Sequence, residues 1–375
     1  MGASYQVVLK DPNAVTLAIP QNIFYLEYAR RVNEIGAMTL QIPIAYDPYC
    51  LIDGQIELYR QVDSGPLYLE GETRWFIRKI SHKLDDNGQE YIEIYAEDAM
   101  TLLQRRITAF YAGSSQVLKT AVAADDLLKT IVSNNMGSAA ADYLGANTAR
   151  QLSTTLFAIQ ANLTQAQLVS KDFAWRPMFP VLQEIAQAST QAGTYLCFDV
   201  VAIVAGTFEF RTYINQRGVD HRWPSGSNPV ILDPQMGNLA NIVQTDDYSQ
   251  GVSFVYCAGQ GTDSDRTVQS ANNATLAGLS PYGRFEAFQD ARQATTAASV
   301  LAEANADLWS ARPVLSFEAQ LVQTPGVQYG VQYNFGDMVT ARYRNRQFDC
   351  RIEAIHITKQ GSNPETVDTK IQSIT

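Results

Sequence analysis

Apolar and polar residues alternate along both ends of this chain, and this two-residue period constrains the fold more than any other feature of the sequence. Near the N-terminus, Met38, Leu40 and Ile42 lie on one face of a stretch that places Thr39 and Gln41 on the other. A period of two is typical of a half-buried β-strand. Both ends of the chain are therefore predicted to be β-rich, with short strands typical of a small barrel or sandwich. The other stretches predicted as strands at the two ends are 52–59, 91–96, 317–321, 338–343, 348–358 and 367–374.

Two glycines mark turns between these strands. Asn87-Gly88 lies between alternating stretches, and Asn-Gly is the strongest short signal for a β-hairpin. Gly36, in the stretch V-N-E-I-G-A-M at 32–38, also lies between two predicted strands. A phosphate-binding loop would be followed by a helix, and here a strand follows. Gly36 is therefore predicted to occupy a hairpin turn in which it adopts a positive φ.

The middle of the chain has helical spacing and helix-ending residues. Leu127, Leu128 and Ile131 follow the period of one helical face, and acids precede arginines along 97–106, as the helix dipole favours. Gly206 is predicted to turn a buried strand, near 194–200, back on itself. The predicted helices are 97–106, 125–132, the stretch between Pro180 and Gly193, and 289–311 before Pro313. The polar stretch 137–167 is predicted to be a long loop with one helix.

The two β-rich ends resemble each other. The stretch D-G-Q-I-E-L-Y-R at 53–60 has a counterpart in G-D-M-V-T-A-R-Y at 336–343. Each begins with a Gly/Asp turn, continues as an alternating strand, and is followed by a second strand that carries arginine, isoleucine and histidine. Those second strands are 75–82 and 348–356. Two similar β-hairpins would also look alike by chance; if the likeness is real, the chain holds two related barrels on either side of an α/β insert.

Composition limits the function classes. A chain of 375 residues suggests two to three domains, and a net charge of −10 disfavours free nucleic acid as a partner. Only 18% of residues are charged while Tyr and Phe number 19 and 15, which favours surface hidden by self-association. The N-terminus has no signal-peptide pattern and the longest apolar run, 200–206, is too short for a membrane helix. We therefore expect a protein made in the cytosol, with no stable membrane insertion.

Motifs that carry chemistry are missing from the sequence. His82, His221 and His356 have no metal-binding spacing, and the four cysteines (Cys50, Cys197, Cys257 and Cys350) form no CxxC pair. Gly259-Gln260-Gly261-Thr262 lacks the lysine of a phosphate loop, and the acids at 246–247 and 263–265 lack a calcium-loop pattern. Arg342, Arg344 and Arg346 are interpreted as one face of a strand. No catalytic, cofactor-binding or metal-ligating residue is assigned, and no cofactor is predicted.

A succession of short motifs resembles one family. In order these are N-E-I-G-A-M-T-L-Q-I-P, D-G-Q-I-E-L-Y-R, W-F-I-R-K-I, E-D-A-M-T-L-L-Q-R-R, P-V-L-Q-E-I-A-Q-A, G-N-L-A-N-I-V-Q-T-D-D-Y-S and Y-N-F-G-D-M-V. Together they resemble the baseplate hub, or tail-associated, proteins of long-tailed bacteriophages, and most of all the short hubs of non-contractile tails. The resemblance covers most of the chain.

The resemblance implies a fold and an assembly. The fold would be a β-rich α+β protein with two small tube-like antiparallel β-barrels and an inserted α/β domain. The implied domains are a first barrel at 1–104, an insert at 105–227 and 250–312, and a second barrel at 228–249 and 313–375. A homotrimer would form a pseudo-hexameric ring in the tail tip of the virion.

The resemblance also implies partners. These are the distal tail or tail tube ring, the tape measure protein, and tip or fibre proteins, with DNA passing through the lumen without sequence-specific binding. The charge of −10 fits a lumen lined with carboxylates that repel DNA, although it could equally serve solubility. The chain stops soon after the second barrel, which we expect to leave no room for a built-in wall-degrading domain.

Two functions of other classes stay open. One is a tail-borne enzyme that degrades cell wall or polysaccharide through an unrecognised carboxylate pair, whose separation depends on the fold. The other is a carbohydrate-binding module, which would show exposed Trp or Tyr on one barrel face. Trp309, in a predicted helix, is expected to lie in the core or an interface.

Overall fold

The computed structural model describes residues 2–109, 117–204 and 206–374. The chain forms two compact units. One comprises Met1–Ser189, Thr194–Asn241 and Ala319–Ile374, and the other comprises Ile242–Glu318 with the short segment Thr190–Gly193 and Thr375. The domain boundaries that the resemblance implies stay a prediction. No helix in the described ranges is long and apolar enough to cross a membrane.

Strands form the N-terminal part of the chain, as predicted. In β4 every second residue is buried, because Met38, Leu40 and Ile42 face the core. The Asn87-Gly88 hairpin is confirmed: Gly88 has φ 79°, and the Asp85 carboxylate accepts the backbone N–H of Asn87 and Gln89. The strands are β1 (Ala3–Lys10), β2 (Thr16–Ala18), β3 (Tyr25–Arg31), β4 (Ala37–Pro43), β5 (Gln55–Val62), β6 (Tyr68–Leu69), β7 (Trp75–Leu84) and β8 (Glu90–Asp98).

An α/β segment follows, at residues 101–214. Its core joins the apolar faces of two helices to a three-stranded sheet, through residues such as Leu127, Leu182 and Phe210. Its elements are α1 (Thr101–Gln104), β9 (Ile107–Thr108), β10 (Val117–Ala123), α2 (Ala124–Met136), β11 (Ala141–Asp142), β12 (Gly145–Ala146), β13 (Phe157–Ile159), β14 (Leu168–Phe173), β15 (Arg176–Pro177), α3 (Met178–Gln191), β16 (Leu196–Val204) and β17 (Thr207–Ile214).

Three predictions for this segment can be checked. The helices at α2 and α3 and the turn at Gly206, which has φ 81°, are confirmed. The helix predicted at 97–106 is wrong in extent, because residues 97–98 continue β8 and only Thr101–Gln104 is helical. The stretch 137–167 holds short strands and a 3-10 helix at Thr148–Arg150 rather than an α-helix.

The second unit packs one helix on a three-stranded sheet. Its core contains Val255, Cys257, Val300 and Ala304. The helix predicted at 289–311 begins only at Ala297, where Thr296 forms a capping box; Gln289 and Asp290 end a strand, and 291–296 form a turn and connection. The elements from here to the C-terminus are β18 (Ile231–Leu232), β19 (Leu239–Asp247), β20 (Phe254–Ala258), β21 (Val268–Asn272), α4 (Ala274–Ala277), β22 (Glu286–Asp290), α5 (Ala297–Ser310), β23 (Val314–Leu321), β24 (Met338–Tyr343), β25 (Arg346–Gln360) and β26 (Thr366–Ser373).

The two β-rich ends have the same strand order. The N-terminal strands lie side by side as β1-β5-β7-β8-β4-β3, and the C-terminal strands as β18-β24-β25-β26-β23-β19. If the six strands of each set are numbered one to six along the chain, both sets lie side by side in the order one, four, five, six, three, two. We call these sets the first repeat and the second repeat. One difference is that β1 and β5 are antiparallel whereas β18 and β24 are parallel.

The repeats also agree in local backbone detail, which places Ile77 of β7 level with Ile352 of β25. The backbone of Ile77 exchanges hydrogen bonds with Asp53 and Gly54, and that of Ile352 with Gly336 and Asp337. One residue later each strand has a β-bulge, between Ile77 and Lys79 in β7 and between Ile352 and Ala354 in β25. Such bulges are specific features rather than common to all hairpins. The internal likeness is therefore a true structural repeat.

The barrel prediction has a different outcome. The fold is β-rich with some helices, as predicted, and β3 pairs with β25 to join the repeats into one large sheet. In the described ranges, the strand pairings of each repeat follow an open path that does not close on itself. A closed barrel is therefore a proposal and not an observation.

Candidate functional site at the junction between the repeats

The junction between the repeats is built from backbone pairing and a cross-strand contact between His356 and Glu27. Strand β25 pairs with β3 from Ala354, opposite Arg31, to Gln360, opposite Tyr25. His356 contacts Glu27 across this pair, with Nε2 2.8 Å from Oε1. This predicted strand histidine therefore has a structural partner, and the side-chain contact adds to the register that the backbone sets.

A buried ion network lies behind the junction. Arg30 of β3 contacts Asp98 of β8 through Nε at 3.2 Å and Asp199 of β16 through Nη2 at 2.9 Å. Arg217 contacts the same Asp199 through Nε at 2.6 Å. All four side chains are almost completely buried. The network thus ties the first repeat to the α/β segment, and removing one partner would leave an uncompensated buried charge.

The two carboxylates of the network have opposite pKa shifts. Burial raises the pKa of Asp98 to about 6, and although Arg30 opposes this, the nearby Asp199 charge adds to it. Burial alone would also raise the pKa of Asp199, but Arg30 and Arg217 together lower it below its ordinary value. Asp98 has one guanidinium partner and Asp199 has two, and this difference decides whether the pKa of the carboxylate is raised or lowered. Asp199 is the charged centre of the network, and Asp98 is the group that titrates near neutrality.

Two of the sequence motifs meet at this network. Phe335, in the Y-N-F-G-D-M-V motif, lies beneath both guanidinium groups, with Arg30 4.8 Å and Arg217 5.3 Å from the ring centroid. Gly336 has φ 86°, and a Cβ there would lie 2.7 Å from Arg217. The next residue, Asp337, accepts the backbone N–H groups of Val219 and Asn334. The motif therefore supplies one wall of the network.

The other motif is the turn that holds Gly36. The prediction that Gly36 adopts a positive φ is wrong, because Asn33 occupies the left-handed region, with φ 58°. Gly36 is needed for space: a Cβ would lie 2.7 Å from Asp98 Oδ2 and 3.0 Å from the carbonyl oxygen of Ala29. A side chain at this position would therefore press into the ion network.

Asn33 fastens the same turn to the α/β segment. Its Oδ1 accepts the backbone N–H of Phe198 at 2.8 Å, and its Nδ2 donates to the carbonyl of Leu196 at 3.3 Å. Its own carbonyl accepts from Gln183 of α3 at 2.8 Å. The stretch 32–38 is thus a docking turn as well as a connection between β3 and β4.

A second buried network also joins the repeats. Arg60 of β5 binds Glu365, just before β26, with Nη2 2.5 Å from Oε1, and donates to Tyr68 and to the carbonyl of Tyr329. Tyr329 donates to Glu70 at 2.6 Å. Burial raises the pKa of Glu70, and its other oxygen, Oε2, is buried without a hydrogen-bond partner. Two neighbouring buried networks therefore hold the first repeat in place, one against the α/β segment and the other against the second repeat.

The other residues considered from the sequence are dispersed. His82 contacts Asp47 at the surface, and His221 lies 3.5 Å from Asp337. All four cysteines are buried free thiols. Gly261, with φ 120°, and the 3-10 helix Asp263–Asp265 form a turn, and Asp246–Asp247 end β19. No group of His, Cys, Asp and Glu in the described part of the chain could hold a metal ion.

The arginines at 342, 344 and 346 do not share one face of a strand, as interpreted from the sequence. Arg342 lies on β24, Arg344 in the hairpin turn with φ 49°, and Arg346 at the start of β25. Together with Asp233 and Gln347 they line a groove of about 560 Å³. The turn needs two residues of positive φ, Arg344 and Asn345, which explains why strand alternation stops there.

The second unit has an exposed aromatic face. Val255 and Cys257 of β20 face α5, so Phe254 and Tyr256 face the other way, beside Phe288 of β22. Phe288 is 62% exposed and Tyr282 86%. Arg284 stacks on Phe254 at 4.0 Å. Exposed aromatic patches of this kind mark interaction surfaces.

Trp309, predicted to be core or interface, is half-buried, and Arg312 stacks on its ring at 4.1 Å.

The fold is similar to that of solved phage tail proteins. The prophage MuSo2 43 kDa tail protein from Shewanella oneidensis has a TM-score of 0.55 and 11% identity, over 98% of each chain. The tail protein from Neisseria meningitidis MC58 has a TM-score of 0.54 and 10% identity, over 99% of this chain and 97% of that one. Prophage tail protein gp18 from Listeria monocytogenes EGD-e has a TM-score of 0.52 and 11% identity, over 98% and 94%. At these identities the likeness shows the fold alone: that of a phage tail protein.

Sequence comparison identifies the family. Residues 11–371 match the Siphovirus ReqiPepy6 Gp37-like proteins, so the chain belongs to that family. No curated protein sequence matches the chain significantly. The resemblance to phage tail and baseplate proteins that the motifs indicate is thereby confirmed, and the protein is a structural component of a phage tail or baseplate.

Most of the junction residues could not be assigned from the sequence. Arg30 was visible only as half of an Arg-Arg pair, and Asp98, Asp199 and Arg217 are far apart along the chain. One signal was available: Arg30 and Asp98 each fall on the apolar face of an alternating strand. A charge on such a face must find a partner when buried, so it marks a buried ion pair.

Proposed function

We propose that this protein is the hub of a phage tail tip or baseplate, and that three copies form a pseudo-hexameric ring that continues or closes the tail tube. The observation that carries the proposal is the shared strand order and bulge of the two repeats. Three copies of a chain with two equivalent repeats present six similar sheets around one axis, which suits a sixfold tube.

In the proposed ring each repeat supplies the wall of a tube-like barrel that its neighbours complete. The first barrel is assigned to 1–104, the second to 228–249 and 313–375, and the intervening α/β residues decorate or close the ring. Membership of the family supports interactions with other tail components. The partners proposed are the distal tail or tube ring, the tape measure protein, and tip or fibre proteins.

Two surfaces are assigned roles within this proposal. The aromatic face around Tyr256 and Phe288 receives a tip or fibre protein, because it is apolar and its charges, such as Arg284 and Glu286, are already paired. The inner wall of the ring carries more carboxylates than basic groups, so that DNA passes without binding. A basic inner wall in a structure of the ring would reject the second assignment.

The mass of the purified chain in solution tests the proposal. Sedimentation equilibrium should give three times the chain mass of 41.5 kDa, or a monomer that becomes a trimer as concentration rises. A monomer at every concentration would reject the hub. If such a monomer also cleared peptidoglycan or capsule in a gel, the protein would be a wall- or polysaccharide-degrading enzyme instead.

A further inference from the structure

Strands β7 and β25 occupy equivalent places in the two repeats but differ in how much of each edge pairs with a neighbouring strand. In the second repeat, β25 pairs with β24 and then with β3 along one edge, and with β26 along the other. In the first repeat, β7 pairs with β5 at Trp75 and Phe76, its Ile77 bonds to Asp53 and Gly54 just before β5, and β8 pairs along its other edge. From Lys79 to Leu84 no described strand pairs with the β5 side of β7.

The exposure of the side chains follows this difference. Lys79, His82, Lys83 and Leu84 of β7 are exposed, and Leu84 is 66% exposed. The equivalent residues of β25, counted from the shared bulge, are half-buried or buried because β3 covers that edge. An unpaired strand edge with an exposed leucine is a site at which another strand adds, unless the protein blocks it.

The second repeat carries the matching unpaired strand. By its place in the strand order, β19 is the counterpart of β3. Strand β3 pairs on one edge with β4 and on the other with β25, whereas β19 ends the sheet and, among the described residues, pairs only with β23. Its residues Asn241, Val243 and Thr245 are exposed, and Val243 is 56% exposed.

We infer that β19 of one copy pairs with the free edge of β7, from Lys79 to Leu84, in the next copy. This contact repeats between chains the β3–β25 contact that joins the repeats within a chain. The inference rests on the proposed trimeric ring and names the surfaces that close it. Because the two edges lie on different repeats, the contact is heterologous, and a heterologous contact generates a ring when its rotation closes.

Charge favours the same pairing. The β3–β25 contact is antiparallel, and Arg31 at the end of β3 lies opposite Ala354 of β25. Counted from the shared bulge, Ala354 of β25 corresponds to Lys79 of β7. The same geometry brings the end of β19, with the exposed Asp246 and Asp247, to the Lys79 end of β7. Lys79 is exposed there, while the neighbouring Arg78, also exposed, already pairs with Asp53. Opposite charges on neighbouring strands stabilise pairing, and like charges oppose it.

Cysteine cross-linking of the full-length chain tests the contact directly. Lys79→Cys is combined in turn with Asp246→Cys and Asp247→Cys, and the purified protein is oxidised. The native cysteines are buried, so they should give little background. At least one pair should yield a covalent ladder that ends at a closed trimer on a non-reducing gel. Ala354→Cys with Asp247→Cys is the matched control, because β3 already covers Ala354, and it should not cross-link.

Charge reversal separates this inference from the ring itself. Lys79→Glu should weaken trimer formation about tenfold, and the double variant Lys79→Glu/Asp247→Lys should restore it; Arg292→Glu, at an exposed position outside both strands, should leave it unchanged. A wild-type trimer that neither cross-links nor responds to Lys79→Glu would overturn the inference and leave the hub proposal standing. A wild-type chain that stays monomeric would overturn both.

Discussion

Strands β7 and β25 occupy the same place in two repeats, yet one is half open and the other covered. Strand β25 lies between β24, β3 and β26, and behind it lie buried ion pairs and a stacked phenylalanine. Along the open part of β7, Lys83 pairs with Glu93, and both side chains are at least partly exposed. The ion pairs behind the junction are therefore buried, whereas the open edge is suited to a contact made during assembly. Variants at the junction should destabilise the fold, and variants at the open edge should leave it intact.

The largest loss of stability is expected from Asp199→Asn. This change leaves Arg30 and Arg217 buried beside a neutral amide, and breaking such a pair costs about 3–5 kcal/mol. Urea unfolding of the purified chain measures the difference. Glu184→Gln is the matched control, because Glu184 pairs with Arg176 at the surface, where about 0–1 kcal/mol is typical. Equal effects of the two variants would show that the network does not hold the junction.

Gly36→Val should have the next largest effect. It should lower the free energy of unfolding by about 3 kcal/mol or more, because the new side chain overlaps Asp98 and the carbonyl of Ala29. Gly326→Val is the control, since Gly326 has ordinary φ and nothing within 4 Å of an added Cβ. Soluble yield and thermal unfolding compare them. A Gly36→Val protein as stable as the Gly326→Val protein would mean that the turn does not pack against the network.

Titration of Asp98 gives a pH dependence of known sign. Its pKa is about 6 in the folded protein, against 3.8 ordinarily, so its contribution to stability is present below pH 3.8 and is lost as pH rises through about 6. Relative to Asp98→Asn, the wild type should lose about 2 kcal/mol between pH 4 and 7. Asp199, whose pKa is lowered, should show the opposite trend at more acid pH: its contribution is present above pH 3.8 and is lost as pH falls below that value. Denaturant unfolding at a series of pH values measures both, and parallel trends for the two residues would contradict the network.

Asn33→Gly should have a smaller effect. Glycine keeps the positive φ and removes two hydrogen bonds to β16, which are worth about 1–2 kcal/mol together. Limited proteolysis should cut the α/β segment faster in this variant than in the wild type. Unchanged cleavage would show that the segment is held by its apolar contacts alone.

The smallest effect is expected at the open edge. Lys79→Glu should change the free energy of unfolding of the monomer by no more than about 0.5 kcal/mol, because the side chain is exposed and in no ion pair among the described residues. Chemical unfolding at a concentration below that of assembly measures this. A large destabilisation would mean that the open edge is part of the fold of the single chain.

Local features were predictable from the sequence, and the junction was not. The alternation in β4, the Asn87-Gly88 hairpin and the likeness of the two ends follow from short-range patterns. Helix α5 was predicted eight residues too early, because Ala- and Gln-rich residues before Thr296 have helical propensity but belong to the sheet of the second unit or its connection. Gly36 was assigned to a turn for the wrong reason, since its close contact with Asp98 depends on tertiary packing.

Electron cryo-microscopy of the purified assembled protein tests the central claim most directly. The account predicts a ring of three chains in which the sheets of six repeats are continuous, with β19 of each copy hydrogen-bonded to β7 of the next along Lys79 to Leu84. A ring in which that edge of β7 faces solvent, or in which β19 contacts no neighbouring chain, would contradict it.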